Sequence, residues 1–379
     1  MTAVITGASP PSLLEQAVSS ATATGDYVLR TGLASMISVS AVPVVLSRRS
    51  AAFELDQLAF YADLARAGDP TEVFLAPPSG VEIRAREVRP PLAARAVGRM
   101  ELLSFESPFE ARNPALREQY ASHQRNRIAR AQHWRHLDGH RPTIVVLHGF
   151  MGSPYLFNSA FFSLPWFYGH GYDVLLVTMP FHGRRAARMS PYSGHGFFAH
   201  GMAHLNESVL QAVSDVRVLV DHVLERGAGA VGVTGLSLGG YTTAALAVAE
   251  PRLHFAIPNA ALAEMTSLIR SWVPAGQLLD LALRRQGLGL DDMKAALGVH
   301  SPLSYAPALP KDRLLIIGGL GDRLAPPEQS RMLWEHWDHP RLHWYPGNHV
   351  MHVNRGAYLR EMGRFLQATG FADHLPTEA

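Results

Sequence analysis

Ala230-Val231-Gly232-Val233-Thr234-Gly235-Leu236-Ser237-Leu238-Gly239-Gly240-Tyr241 is the stretch on which the reading of this chain turns. Its first five residues are mostly apolar and partly β-branched. They run directly into Gly-x-Ser-x-Gly, and Tyr241 to Glu250 continues with helical character. The five-residue pattern alone recurs by chance. Between a strand and a helix it acquires a mechanical meaning. The serine then occupies a sharp turn with strained backbone angles, and a side chain at Gly235 or Gly239 would strike neighbouring backbone. That turn lifts the Ser237 hydroxyl clear of the sheet, at the positive end of a helix. The competing reading is a tight packing turn with an idle serine.

On either side the rhythm is regular. Thr143–Leu147, Asp173–Thr178, Ala230–Thr234, Phe255–Ile257, Leu314–Ile317 and Leu342–Tyr345 are short apolar runs, as parallel strands buried on both faces require. Helical patterns separate them, most clearly Leu205, Val209, Ala212, Val216, Leu219, Val220 and Val223. The alternation predicts an α/β fold with a doubly wound, mostly parallel sheet. Residues 260–308 form an insertion with helical patterns over Leu262–Val273 and Leu278–Leu297, read either as a lid or as packing decoration. The chain divides into an N-terminal extension (1–140), a catalytic domain (141–370) and a C-terminal tail (371–379). In the extension, Ala51–Ala67 reads as a helix, and Val81–Val88 and Arg99–Phe105 as strands. Asn113–His133 reads as an Arg-rich solvated helix face, the alternative being an acid-binding use of Arg117, Arg125, Arg127 and Arg130.

Attack by a serine hydroxyl on an acyl group needs a base, an orienter for that base, and two backbone N–H donors for the developing oxyanion. Leu238 follows the nucleophile and supplies one donor. Phe150, in Leu147-His148-Gly149-Phe150-Met151-Gly152 at the end of a strand, is the natural source of the other. Asp322 lies in Gly318-Gly319-Leu320-Gly321-Asp322, past the run Leu314–Ile317, where it serves as the orienter or as a helix N-cap. His349 follows Leu342–Tyr345 in Pro346-Gly347-Asn348-His349 and reads as the base. His352 is its rival, and His148, far upstream, reads as structural.

At these residues the chain resembles the α/β-hydrolase superfamily, in its serine-hydrolase branch. The likeness spans about residues 140 to 370. It resembles more weakly an uncharacterised branch with a Pro-Phe-His-Gly-Arg-Arg loop, here Pro180 to Arg185, and a long N-terminal extension. The resemblance implies the α/β-hydrolase fold, with Ser237 as nucleophile, His349 as base, Asp322 as orienter, and Phe150 and Leu238 as oxyanion donors. It implies an esterase or lipase-like enzyme that forms an acyl-enzyme and uses no cofactor. Acyl transfer by the same triad and non-catalytic binding on the same scaffold are the alternatives.

Other clusters read less sharply. His182, Arg184 and Arg185 follow a strand end and are expected either to contact substrate or to form a fixed, solvated loop. His195, His200 and His204 include H-x-x-x-H but lack the zincin glutamate, so no metal is expected. Asn206-Glu207-Ser208 matches a glycosylation acceptor inside a predicted helix.

Composition bounds the rest. The chain has 379 residues, 47% of them hydrophobic and 17% charged, which excludes a disordered chain. A net charge of +2 argues against nucleic acid as the main partner. The absence of cysteine excludes disulfides, cysteine-ligated metals and cysteine nucleophiles. The expected partner is a small-molecule or lipid-like acyl ester. Thr31–Ser47, broken by Ser35, Ser38, Ser40 and Pro43, is too interrupted to span a bilayer and leaves room for peripheral membrane contact. With no basic start to a signal peptide, a cytoplasmic location is expected. Oligomeric state is not legible.

Overall fold

The computed structural model describes residues 13–46, 48–90, 98–152, 155, 158 and 162–376. Ser47 and residues 377–379, which the readings above touch, lie outside the described residues.

Nine strands form one sheet: β1 (Arg84–Val88), β2 (Arg99–Glu106), β3 (Ile128–Arg135), β4 (Thr143–Leu147), β5 (Asp173–Thr178), β6 (Val231–Leu236), β7 (Phe255–Asn259), β8 (Leu315–Gly319) and β9 (Arg341–Tyr345). Their order is β1-β2-β3-β5-β4-β6-β7-β8-β9. From β5 to β9 every pairing is parallel, whereas β1–β2, β2–β3 and β3–β5 are antiparallel. The inner parallel strands, β4 to β8, are buried at every position and mostly apolar because both faces are covered, whereas the edge strand β9 is partly exposed. Val145, Leu147, Val231 and Val233 face one core, with the helices Met202–Glu225 and Leu238–Ala249. Ile144, Val146, Ile257 and Ile317 face the other, with Phe365 and Leu366 of the helix Arg355–Ala368. Each such side chain contributes about 1.5–3 kcal/mol by leaving water.

One reading is overturned. Asn113–His133 is not a helix face. A 3₁₀ turn at Pro114–Leu116 and a five-residue α-helix at Arg117–Ala121 give way to β3, in which Ala129 and Ala131 enter one core and Trp134 the other. Its period of two is disguised because alanine gives little hydropathic contrast with its neighbours. Three of the four arginines are engaged within the protein: Arg117 donates to the Ala111 carbonyl, Arg125 to the Arg184 carbonyl, and Arg127 pairs with Glu106.

Two long helices, Leu13–Leu46 and Arg48–Arg66, and a short one, Pro70–Val73, precede the sheet. The insertion holds three helices, Met265–Ser271, Ala275–Gln286 and Leu290–Leu297. The expected second pattern is split at Gly287, whose φ of 68° ends the helix there. Asn206, Glu207 and Ser208 are fully buried in their helix, which removes them as a glycosylation acceptor. Glu207 instead accepts from the Tyr61 hydroxyl and from the Arg112 and Asn113 amides. Among the described residues no helix is long and apolar enough to cross a membrane.

Candidate active site

Ser237 follows β6 directly and occupies the N-cap of the helix Leu238–Ala249 with φ 58° and ψ −117°, a conformation that L-residues rarely adopt. Its neighbours hold it there. The Ser237 amide donates to the Asn259 carbonyl on β7 at 3.0 Å, and its carbonyl accepts from the Tyr241 amide at 2.8 Å. The flanking glycines are sterically required. A Cβ on Gly235 would stand 2.5 Å from the Gly239 carbonyl oxygen, and one on Gly239 would run into the carbonyls of Leu147 and His148.

Asp322 and His349 come from the loops after β8 and β9. His349 Nδ1 lies 2.6 Å from Asp322 Oδ2, and Asp322 Oδ1 accepts from the amides of Leu324 (2.9 Å) and Ala325 (2.8 Å). Asp322 is 0% and His349 6% exposed. A carboxylate at Nδ1 fixes the proton on that nitrogen and leaves Nε2 as the basic one. Burial by itself would pull the His349 pKa down. The charge of Asp322, its hydrogen bond and the charge of Asp26 outweigh burial and raise it above the ordinary histidine value.

The rival histidines are used elsewhere. His352 contacts the His349 carbonyl at 3.2 Å and packs on Tyr345, and burial pulls its pKa to about 4. His148 accepts from the Met179 amide at 3.0 Å and faces the Gly149 carbonyl at 2.8 Å, so it ties the β4 loop to the end of β5. Burial brings its pKa to about 4 as well, and it remains neutral.

Ser237, Leu238, Gly149, Phe150 and His349 share a cavity of about 360 Å³. Leu238 is the first residue of its helix, and amides in a first turn have no partner within the helix. The remaining walls are mainly apolar: Leu29, Leu33 and Ile37 from the N-terminal helix, and Met265 and Ile269 from the insertion. A second apolar cavity of about 130 Å³ shares Ile37, Phe198, Ile269 and Ala275 with the first. It extends between Leu58, Leu278, Leu279 and Leu283.

The loop after β5 does not behave as one substrate-binding unit. His182 is buried behind Phe150, with its Nδ1 2.8 Å from the Pro180 carbonyl. Arg184 is exposed and borders a separate cavity with Tyr155 and Thr178. Arg185 is corrected: it cannot meet a substrate, because its guanidinium is fully buried, 2.7 Å from Asp215, and donates to the carbonyls of Thr178 and Asn126.

Among the described residues, His123, His200 and His204 form the one group placed to hold a metal, with ligand nitrogens within 4.8 Å of one another. His195, grouped with two of them by spacing, is not a member. His204 Nε2 lies 3.2 Å from His123 Nε2, and burial lowers the pKa of all three. The buried Nδ1 of His204 has no hydrogen-bond partner, so it lacks the outer acceptor that metal-bound histidines generally have.

The sequence reading passed over Asp26. It sits on the helix Leu13–Leu46, is 1% exposed, and its Oδ2 accepts from the amides of both His349 and Arg323 at 2.9 Å. Its only sequence signal is being the lone charge between Glu15 and Arg30 in an otherwise neutral run.

No protein-family model matches the chain. It is 30% identical to the uncharacterized protein Rv2627c of Mycobacterium tuberculosis (strain ATCC 25618 / H37Rv) over 322 residues, 82% of this chain and 72% of that protein. The same identity and coverage hold for the uncharacterized protein MT2702 of strain CDC 1551 / Oshkosh. Two solved structures share the fold at a TM-score of 0.54. The acetyl xylan esterase from Paenibacillus sp. R4 is 16% identical and matches over 83% of this chain and 94% of its own. Acetyl xylan esterase 1 from Thermoanaerobacterium sp. JW/SL YS485 is 15% identical, over 83% and 92%.

Proposed function

The chain belongs to one family with the uncharacterized mycobacterial proteins and has the α/β-hydrolase fold, and on that premise we propose that it is a serine hydrolase cleaving esters with an apolar acyl group. The observation that carries this reading is a strained Ser237 and a carboxylate-bonded His349 on one apolar cavity.

In this reading His349 Nε2 takes the proton of the Ser237 hydroxyl as its oxygen attacks the acyl carbon. Asp322 holds the imidazole in the reactive tautomer and stabilises the imidazolium. The Phe150 and Leu238 amides receive the oxyanion, aided by the positive end of the helix Leu238–Ala249. His349 returns the proton to the leaving alkoxide, and the alcohol departs. Water, deprotonated by the same nitrogen, then opens the acyl-enzyme. The two adjoining apolar cavities fit a chain-like acyl group, which gains by leaving water and needs no polar partner. That the fold-sharing proteins above are named acetyl xylan esterases agrees with ester chemistry.

Hydrolysis of p-nitrophenyl esters of increasing acyl length, by wild type and Ser237→Ala side by side, tests the reading. Ser237→Ala should lose about 10³-fold or more in kcat, and longer acyl chains should lower KM until the cavity is filled. Equal activity in the two proteins removes Ser237 from the reaction. Faster turnover on adding an alcohol would favour acyl transfer over hydrolysis.

A further inference from the structure

The helix Leu13–Leu46 precedes every strand, yet it meets the site at its most sensitive point. The Asp26 carboxylate oxygen Oδ2 accepts the amide N–H of His349 and that of Arg323, each at 2.9 Å. One amide belongs to His349 itself. The other belongs to Arg323, the residue directly after Asp322. A single oxygen therefore joins the β8 loop to the β9 loop. The fit around it is close. The Ser19 hydroxyl accepts from the Gly347 amide at 3.2 Å, and Gly321 lies so near the Ser19 carbonyl that a Cβ there would come within 2.5 Å of its oxygen. Arg30, one turn on, donates to the Arg323 carbonyl at 3.4 Å.

A buried carboxylate is costly unless it is well bonded. Asp26 has its two amide donors, and burial still raises its pKa above the usual carboxylate value. A neutral acceptor, such as an asparagine oxygen, would satisfy the same two amides without that cost. What the carboxylate adds is charge. The groups that face His349 are Asp322 at Nδ1, His352 at its carbonyl and Asp26 at its amide. Tyr345 stands near both Asp322 and Asp26.

Resting on the hydrolase reading above, we propose that Asp26 is a positioning residue of this site: it anchors the loops of Asp322 and His349 in one frame, and its charge supports the imidazolium that forms during turnover. The N-terminal helix is then a working part of the active site, through Asp26 on one side and the cavity wall of Leu29, Leu33 and Ile37 on the other.

Two variants separate the parts. Asp26→Asn keeps an oxygen for both amides and removes the charge. Asp26→Ala leaves both amides without an acceptor. Asp26→Ala should lose on the order of 10²-fold in kcat, as a small misplacement of the base does. Asp26→Asn should recover most of that loss, and the acid-side midpoint of its kcat/KM profile should move to lower pH. The deciding readout is the titration of the His349 Nδ1–H proton by NMR in wild type and Asp26→Asn, which needs neither turnover nor the alanine variant. A titration midpoint in Asp26→Asn equal to that of wild type overturns the proposal. If Ser237→Ala leaves esterase activity intact while the midpoint still shifts, the hydrolase reading fails and the charge coupling stands.

Discussion

Ser237 occupies a conformation that costs about 1–3 kcal/mol and persists because the Asn259 and Tyr241 hydrogen bonds and the close approach of Gly235 and Gly239 over-determine it. At the same scale the protonation of His349 would set the pH dependence of the proposed reaction. In that reaction the base works only when neutral, and the His349 pKa is held above 6.5 chiefly by Asp322 against the effect of burial. Activity should therefore fall as pH drops through a midpoint above 6.5. Asp322→Asn removes the charge and disturbs the tautomer. It should lower kcat about 10³- to 10⁴-fold and move the midpoint down. A pH–rate profile of the variant checks both, and an unmoved midpoint would take Asp322 out of its assigned role. The places of Ser237, Asp322 and His349 were legible because each follows an apolar run at a recognisable strand end. His352 and His148 were ambiguous for the same reason. The contacts separate them: His349 meets Asp322, whereas His148 binds the Met179 amide and His352 the His349 carbonyl.

At the scale of elements, the loop after β5 shows how charge can mislead. Two adjacent arginines at a strand end suggest a site for an acidic group. Only Arg184 stays in solvent, while Arg185 turns inward to Asp215 on the helix Met202–Glu225. No local pattern announces this, because the partner is thirty residues on and Ser107, which also bonds Asp215, comes from the other side of β3 in sequence. Removing the guanidinium leaves a buried carboxylate without its cation, so Arg185→Ala should destabilise the fold by about 3–5 kcal/mol. Urea unfolding of the variant measures it. A change below about 1 kcal/mol would mean that the pair is dispensable. β3 teaches the same lesson. Its alanines carry too little hydropathic contrast to reveal a strand, and pairing with β2 and β5 supplies what the side chains do not.

The molecule as a whole keeps several histidines neutral by burial. His300 is one such case and is fully buried. Its Nδ1 meets the Tyr241 hydroxyl at 2.6 Å and its Nε2 meets Asn206 Oδ1 at 3.0 Å, tying the insertion to two core helices. Burial lowers its pKa from 6.5 to about 3. The unfolded chain therefore binds a proton that the folded one refuses. Its contribution to stability is complete above pH 6.5 and is lost as pH falls toward 3. The buried Glu54 and Glu207, whose pKa values burial raises, oppose this trend, so total stability alone is not diagnostic. Comparison with His300→Gln is. The variant should be less stable at neutral pH and should lose less stability than wild type between pH 6.5 and 4, as read from Tm. Parallel curves would show that His300 does not carry the titration.

Taken alone, the sequence determined the parallel sheet, the order of its strands along the chain, the turn at Ser237 and the strand ends that carry Asp322 and His349. Those features rest on local periodicity and on glycines whose steric need is set by near neighbours. The tertiary structure alone decided which histidine meets Asp322, that Arg185 is withdrawn from solvent, that His123 joins His200 and His204, and that Asp26 reaches the loops after β8 and β9. Each of these is a contact between groups far apart in the chain, bought by burial of surface that no single segment possesses, and a one-dimensional pattern carries no record of such a meeting.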